Sequence, residues 1–130
     1  MSDDSRETLI HDTEWDLLEV LWRLRHATAR QVAEALEEKR GWAYSTVKTL
    51  LDRMVQKGLV AARHVGNVWE YAAAVEQLEA RRSAWRRFLG SAFGGATAPA
   101  LEFVARQARL TRKQREALRA LLDEKEDDDA

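Results

Sequence analysis

The most informative segment of the chain is residues 41–59, GWAYSTVKTLLDRMVQKGL. Its apolar side chains recur at helical spacing, which places them along one face of an α-helix; they are Val47, Leu50, Leu51, Met54 and Val55. The segment closes with Lys57-Gly58-Leu59, in which glycine can take the left-handed conformation that ends a helix and leucine can pack back against it. We therefore expect an amphipathic helix that stops at Lys57.

Two shorter helices are predicted before this segment. Thr13 and Asp16 have the spacing of a capping box, in which a hydroxyl and a later acceptor group satisfy the free N–H groups of a helix start. Thr28 and Gln31 repeat the pattern, and the helix that follows is expected to end near Glu38. The first helix carries a broad apolar stripe on Trp15, Leu17, Leu18, Leu21, Trp22 and Leu24.

A β-hairpin is predicted after the third helix. Residues 59–65 and 68–72 are two extended segments, and Gly66-Asn67 between them suits a tight turn. Three helices followed by a hairpin are the element order of a winged helix-turn-helix. Core packing is expected for Trp15, Trp22 and Trp69.

The chain after residue 75 is predicted to be helical. Gly94-Gly95 breaks one helix, and Thr111 with Gln114 forms a further capping box. Three amphipathic helices of this size cannot bury their apolar faces alone, and a second copy of the segment is favoured over packing within one chain. The side chains expected at this two-fold interface are Leu78, Trp85, Phe88, Leu89, Phe93, Leu101, Val104, Leu118, Leu121 and Leu122.

The predicted fold class is mainly α with a small β-hairpin, a winged helix-turn-helix domain followed by a C-terminal helical dimerisation arm. The boundaries are a flexible N-terminus at residues 1–8, the winged-helix domain at 9–74, the dimerisation region at 75–125 and an acidic tail at 126–130.

The composition excludes several classes of protein. The 130 residues include no cysteine, so there is no disulfide, thiolate nucleophile or thiolate metal site. The longest uncharged run, residues 88–101, has 14 residues, whereas a membrane span needs about 20. The chain begins Met1-Ser2-Asp3-Asp4, unlike the basic start of a secretory signal. We expect a cytoplasmic protein without membrane insertion.

The net charge of −1 conceals a segregated distribution. Residues 39–69 contain six basic side chains against Asp52 alone, whereas residues 1–38 contain ten acidic side chains against four arginines. A basic stripe is typical of a surface that meets phosphates, although a solvated helix face has the same composition.

The polar face of the third helix favours the first of these interpretations. Ser45, Lys48, Thr49 and Asp52 fall opposite the apolar stripe, with Tyr44, Thr46 and Arg53 beside them. Lysine can reach guanine acceptors, and small hydroxyls can bond base edges or phosphate. An ordinary surface helix more often alternates glutamate with lysine. The face therefore indicates major-groove binding. Phosphate contacts are expected from basic residues on and around the helix: Lys39, Arg40, Arg53 and Arg63.

The run from Gly41 to Met54, followed by Lys57-Gly58-Leu59, resembles the recognition-helix signature of the penicillinase-repressor family (the BlaI/MecI/CopY group). Glu14-Trp15-Asp16 and Thr28-Ala29-Arg30-Gln31-Val32 are similar to its first two helices, and Trp69-Glu70-Tyr71 to its wing. The resemblance covers roughly residues 9–125.

The resemblance implies a homodimeric winged-helix repressor that binds a palindromic double-stranded DNA operator. It implies that the third helix enters the major groove through Tyr44, Ser45, Thr46, Lys48 and Thr49. Trp42 and Arg53 would lie near the DNA backbone, with Arg63 and His64 in the wing. No cofactor is implied.

Some positions depart from the family pattern. Ala43 replaces a serine that often caps the recognition helix. A membrane-bound sensor metalloprotease cuts some members at an Asn-Phe bond, and the corresponding pair here is Glu102-Phe103. Copper-responsive relatives use a C-terminal cysteine cluster, which this chain lacks.

Two other functions compete with DNA binding. An enzyme is disfavoured, because His11, His26 and His64 are scattered and no serine lies in a nucleophile-elbow context. A winged helix that contacts only proteins would share the same core, with Trp42 and Tyr44 as interface anchors or core residues. Binding by such a module would depend little on salt concentration, which would distinguish it from a DNA-binding protein.

Overall fold

The computed structural model describes residues 9–129, with side chains through residue 125. The expected flexible N-terminus at residues 1–8 lies outside the described residues, as do Ala130 and the side chains of the acidic tail. The chain forms two compact units, one reaching to Arg87 and the other beginning at Phe88. The elements are α1 (Asp12–Leu24), β1 (Ala27–Thr28), α2 (Ala29–Ala35), α3 (Tyr44–Lys57), β2 (Val60–Val65), β3 (Val68–Ala73), α4 (Gln77–Phe93), α5 (Thr97–Gln107) and α6 (Arg112–Asp129).

The core of the first unit lies between the first three helices and the sheet. Helices α1 and α3 bury most of the apolar stripes that the sequence predicts, although Leu24 at the end of α1 is exposed, and Tyr71 of β3 closes the core from the sheet side. Side chains with almost no exposed surface are Leu17, Leu18, Leu21, Val32, Val47, Leu51, Met54 and Tyr71. Burying a side chain of this size contributes about 1.5–3 kcal/mol, so these contacts dominate the stability of the unit.

The sheet has three antiparallel strands in the order β1-β3-β2. Strands β2 and β3 pair from Val60 with Ala73 to Val65 with Val68, and Gly66 in the turn has φ 62°. This hairpin confirms the prediction. The sequence did not predict β1, which adds a third strand by pairing Ala27 with Tyr71. Two residues are too few to show the alternation that identifies a strand.

The first two helices differ in detail from the predictions. The prediction of Thr13 as the cap of α1 is wrong: the helix starts at Asp12, and the His11 N–H donates to the Glu14 carboxylate at 2.9 Å. The capping box of α2 is confirmed, with reciprocal Thr28–Gln31 hydrogen bonds of 2.8 and 3.2 Å. Helix α2 ends at Ala35, short of Glu38.

Helix α3 begins without a side-chain cap and ends as predicted. Ala43 occupies the cap position and accepts only the Val47 N–H, at 3.1 Å. At the other end Gly58 has φ 84°, and the Leu59 N–H donates to the Met54 carbonyl at 2.9 Å. This is the left-handed glycine stop with its leucine packed back into the core.

The second unit contains the end of α4 together with α5 and α6. Gly94 and Gly95 have φ 56° and 84°, conformations that favour glycine, and they break the chain between α4 and α5. The Phe93 ring centroid lies 5.7 Å from those of both Phe88 and Phe103. Reciprocal Thr111–Gln114 hydrogen bonds confirm the capping box before α6.

The described helices include none that is both long enough and apolar enough to span a bilayer.

Candidate nucleic-acid interface

The outward face of α3 carries hydroxyl side chains and one arginine. Val47, Leu51 and Met54 point into the core, so the opposite side chains face outward. Ser45, Thr46, Thr49 and Arg53 are exposed, and with Leu50 they line a shallow depression of about 270 Å³. Within the described residues Arg53 makes no ion pair, so its charge is available to a ligand. The arrangement presents small hydrogen-bonding groups and one arginine side by side.

The N-terminus of α3 carries an exposed aromatic ring. Tyr44 is 48% exposed, and the Arg30 guanidinium of α2 lies 5.5 Å from the centroid of its ring. This cation–π contact holds an arginine beside the start of α3. No local sequence signal marks Arg30 as a site residue, because its proximity to Tyr44 depends on how α2 packs against α3.

Lys48 is held by two partners. Its Nζ lies 3.0 and 2.8 Å from the two carboxylate oxygens of Asp52, and 5.6 Å from the centroid of the Tyr71 ring. The Tyr71 hydroxyl donates to Asp52 Oδ1 at 2.9 Å. The bond to Asp52 raises the pKa of Lys48, with a further contribution from Tyr71, so the ammonium stays charged. Burial opposes ionisation of Asp52, but the bonds from Lys48 and Tyr71 outweigh it and lower the pKa of this carboxyl.

Lys39 and Arg40, two of the four predicted phosphate contacts, share one internal partner. Lys39 Nζ lies 2.7 Å from Asp16 Oδ1, and Arg40 Nε lies 2.6 Å from Asp16 Oδ2. Burial works against ionisation of Asp16, yet the two bonds hold the pKa of its carboxyl below the ordinary value. The Arg40 guanidinium also lies 5.1 Å from the centroid of the half-buried Trp42 ring. Asp16 therefore offsets part of the positive charge of residues 39–69.

The wing places Arg63 and His64 on β2. Arg63 pairs with Glu70 at 3.0 Å, and the His64 ring centroid lies 4.9 Å from that of Trp69. Trp69 is 49% exposed, so the expectation that it packs in the core is wrong. Its register partner is His64, next to the turn, where the hairpin extends beyond the helices that cover Tyr71. Trp69 is an exposed aromatic that the sequence reasoning did not assign to the site.

A cleft of about 350 Å³ separates α3 from the wing. Its walls include Arg30, Tyr44 and Lys48 on the helical side, and Asn67, Val68 and Trp69 on the wing side. The structure thus brings Tyr44 and Lys48 near the wing, while Ser45, Thr46 and Thr49 face outward on α3.

Most of the predicted dimerisation side chains lie on the surface of the single chain. Leu89 and Phe93 are half-buried. The exposed members are Leu78, Trp85, Phe88, Leu101, Val104, Leu118, Leu121 and Leu122. Exposed large apolar side chains of this kind are typical of surfaces that contact another protein.

No group of three or more His, Asp or Glu side chains in the described part of the chain is arranged to hold a metal ion.

Comparison with known proteins identifies the family. The sequence model of the family described as "Penicillinase repressor" matches residues 10–124. The chain belongs to the penicillinase repressor family. Membership confirms the resemblance seen in residues 41–59 and makes this protein a DNA-binding transcriptional repressor.

Individual relatives match almost the whole chain. The methicillin resistance regulatory protein MecI of Mammaliicoccus sciuri is 25% identical over 123 residues, which cover 94% of this chain and 99% of that protein. The penicillinase repressor of Staphylococcus aureus is 20% identical over 120 residues, 92% and 95% of the two chains. A solved structure, the DNA-binding domain of the repressor BlaI, is 25% identical with a TM-score of 0.48, over 52% of this chain and 83% of that one.

Proposed function

We propose that this penicillinase-repressor family member acts as a homodimer on a palindromic DNA operator, with α3 of each subunit in the major groove. The observation that carries the proposal is the exposed face of Ser45, Thr46 and Thr49 beside Arg53, opposite a buried apolar stripe. Small hydroxyls and cations on a projecting helix are the groups that read base edges and neutralise phosphates.

The side chains divide into base-reading and phosphate-binding groups. Ser45, Thr46 and Thr49 would contact base edges, and Arg53 would contact a phosphate because its charge has no internal partner among the described residues. The remaining members of the proposed interface are Trp42, Tyr44 and Lys48 around α3, and Arg63 and His64 in the wing.

The C-terminal helices would supply the dimer interface. Their exposed apolar side chains, among them Leu101, Leu121 and Leu122, need a partner surface of the same character. A two-fold interface satisfies this requirement with one patch on each subunit. The dimer would hold two α3 helices about 34 Å apart, one turn of DNA. We expect this repressor to work in the cytoplasm and to have no catalytic role.

The test is DNA footprinting on the region upstream of its own gene, followed by a salt titration of binding. A homodimer should protect two symmetric half-sites, and log K should fall with log [salt] by about 0.9 for each phosphate contacted. An unprotected region and a flat titration would instead favour the alternative, a winged-helix module that binds proteins without DNA.

We also propose a membrane-bound sensor metalloprotease as a partner, by analogy with the family pattern at Glu102-Phe103. Both residues lie within α5, and Glu102 pairs with Arg106 at 2.9 Å. A protease binds an extended strand, so cleavage here would require local unwinding of α5. A membrane metalloprotease gene beside this one, together with mass spectrometry of the fragments, would test this.

A further inference from the structure

Lys48 occupies the DNA-facing surface but does not present a free positive charge. Both carboxylate oxygens of Asp52 lie within 3.0 Å of its ammonium. An exposed lysine–aspartate pair one turn apart on a helix is weak by itself, about 0.3–0.5 kcal/mol. This pair has a third partner, because the Tyr71 hydroxyl holds Asp52 Oδ1 at 2.9 Å.

Tyr71 gives the pair a fixed position. It is 1% exposed, and on β3 it pairs with Ala27 and Ala62 of the neighbouring strands. The tyrosine ring therefore cannot move without disturbing the core. Its hydroxyl binds the carboxylate, and its ring face lies 5.6 Å from the Lys48 ammonium. The rotamers of both charged side chains are thus restrained from the sheet.

The pair still has hydrogen-bonding groups to offer. An ammonium has three N–H donors, and Asp52 uses two of those of Lys48. The Asp52 side chain is 52% exposed and keeps acceptor capacity beyond its bonds to Lys48 and Tyr71. A donor and an acceptor therefore lie side by side on α3.

We propose that Asp52, positioned by Tyr71, is a specificity-determining residue that prevents Lys48 from acting as a phosphate anchor and pairs it with an acceptor for base reading. The chemistry that fits is a G·C pair, with Lys48 donating to guanine O6 or N7 and Asp52 accepting from cytosine N4. The carboxylate also repels phosphates, so it lowers affinity for DNA of unrelated sequence. This inference rests on the proposed DNA-binding function.

The experiment compares D52N with D12N by salt titration on the operator and on an unrelated duplex. The amide introduced by D52N keeps an acceptor for the Tyr71 hydroxyl but releases the Lys48 charge. The slope of log K against log [salt] should steepen by about 0.9 per subunit, and affinity for the unrelated duplex should rise about eightfold per subunit at 0.1 M salt. D12N changes the net charge equally, at an exposed residue in the first turn of α1, and should leave both quantities unchanged.

Two further variants separate this role from a structural one. K48M/D52N replaces the Lys48–Asp52 ion pair, whose net charge is zero, by two uncharged side chains. It should therefore have the wild-type salt slope but lose discrimination at one base pair of each half-site. Y71F keeps the buried ring and removes the hydroxyl, and should weaken that discrimination with a smaller change in slope. Thermal melting of each variant monitors folding.

Different results would overturn the inference and the function it rests on. A D52N slope equal to that of D12N would overturn the role of Asp52 and leave operator binding intact. Unchanged base discrimination in K48M/D52N would also overturn the role of Asp52 without affecting the proposed operator binding. Failure of the wild-type homodimer to bind any duplex at low salt would overturn the proposed mode of DNA binding, and this inference with it.

Discussion

Lys57 Nζ lies 2.8 Å from each carboxylate oxygen of Glu14, which ties the last turn of α3 to the first turn of α1. The Glu14 side chain is 9% exposed, and it also accepts the His11 N–H at 2.9 Å. The same lysine donates to the Leu9 carbonyl at 3.1 Å. One ion pair thus stabilises the ends of two helices that form the core.

Breaking this ion pair should destabilise the winged helix. K57M leaves the Glu14 carboxylate without its cation, and we expect a loss of about 1–3 kcal/mol, below the 3–5 kcal/mol for a fully buried pair because Lys57 is partly exposed. Urea denaturation measures the change. The control is E116Q, which breaks an exposed pair with Arg112 and should cost less than about 0.5 kcal/mol. Equal losses in both variants would contradict this role.

Asp16 should make stability depend on pH in the acid range. Its pKa is lowered in the folded chain, so its contribution is complete above the unfolded value of 3.8 and is lost as pH falls through the lower folded value. Unfolding free energy measured from pH 6 to pH 2 should decline less steeply in D16N than in wild type. D12N leaves the Lys39–Asp16–Arg40 cluster intact and should keep the wild-type decline. An unaltered decline in D16N would exclude the cluster as its cause.

Arg53 and Thr49 should affect DNA binding differently. R53A should weaken binding to all duplexes alike and reduce the salt slope by about 0.9 per subunit, since a phosphate contact has no sequence information. T49A should relax sequence preference and leave the slope unchanged. Salt titration together with selection from a randomised operator library measures both quantities. A change of base preference alone in R53A would show that it reads bases.

Substitutions of Trp69 and Trp22 should have different effects, the first on DNA binding and the second on stability. W69A removes an exposed ring on the wing, so DNA affinity should fall while the unfolding free energy changes by less than about 0.5 kcal/mol. W22F removes the Nε1 donor to the Val75 carbonyl at 2.9 Å, which should cost about 1 kcal/mol. Fluorescence-detected denaturation and gel shifts distinguish them. An unfolded W69A would show that the ring supports the fold, and full affinity in that variant would show that Trp69 does not contribute to DNA binding.

The apolar face of α6 should control assembly. L121E and L122E place a charge in the proposed two-fold interface, so sedimentation should show monomers and binding to the palindrome should fall to that of a single half-site. R119E also places a glutamate on this helix, with a change of net charge one unit larger than that of each leucine variant, and should remain dimeric. Dimers in L121E and L122E would locate the interface elsewhere.

Local sequence rules predicted much of the backbone. The stripe on α3, its end at Gly58, and the caps at Thr28–Gln31 and Thr111–Gln114 depend on residues a few positions apart, and all of them are present. The same rules selected the wrong cap for α1, because Thr13 and His11 both precede acidic residues at the capping distance. They also missed β1, which exists only because β3 lies beside it.

The candidate site was only partly predictable for a related reason. Helical periodicity put Ser45, Thr46 and Thr49 on the outer face of α3, and they are exposed there. Charge counting treated Lys39 and Arg40 as free cations, but Asp16 binds both. These partners are more than 20 residues apart, so their meeting depends on how α1 packs against the turn after α2.

The amino-acid order alone established a winged helix whose third helix buries one side and exposes hydroxyls on the other, because both properties follow from helical spacing. Folding in three dimensions decided which charges remain available. Arg53 is left without an ion-pair partner among the described residues, whereas the strand carrying Tyr71 holds Asp52 against Lys48. A net charge is a sum over residues, but a surface potential depends on which residues the chain brings within a few ångströms of each other.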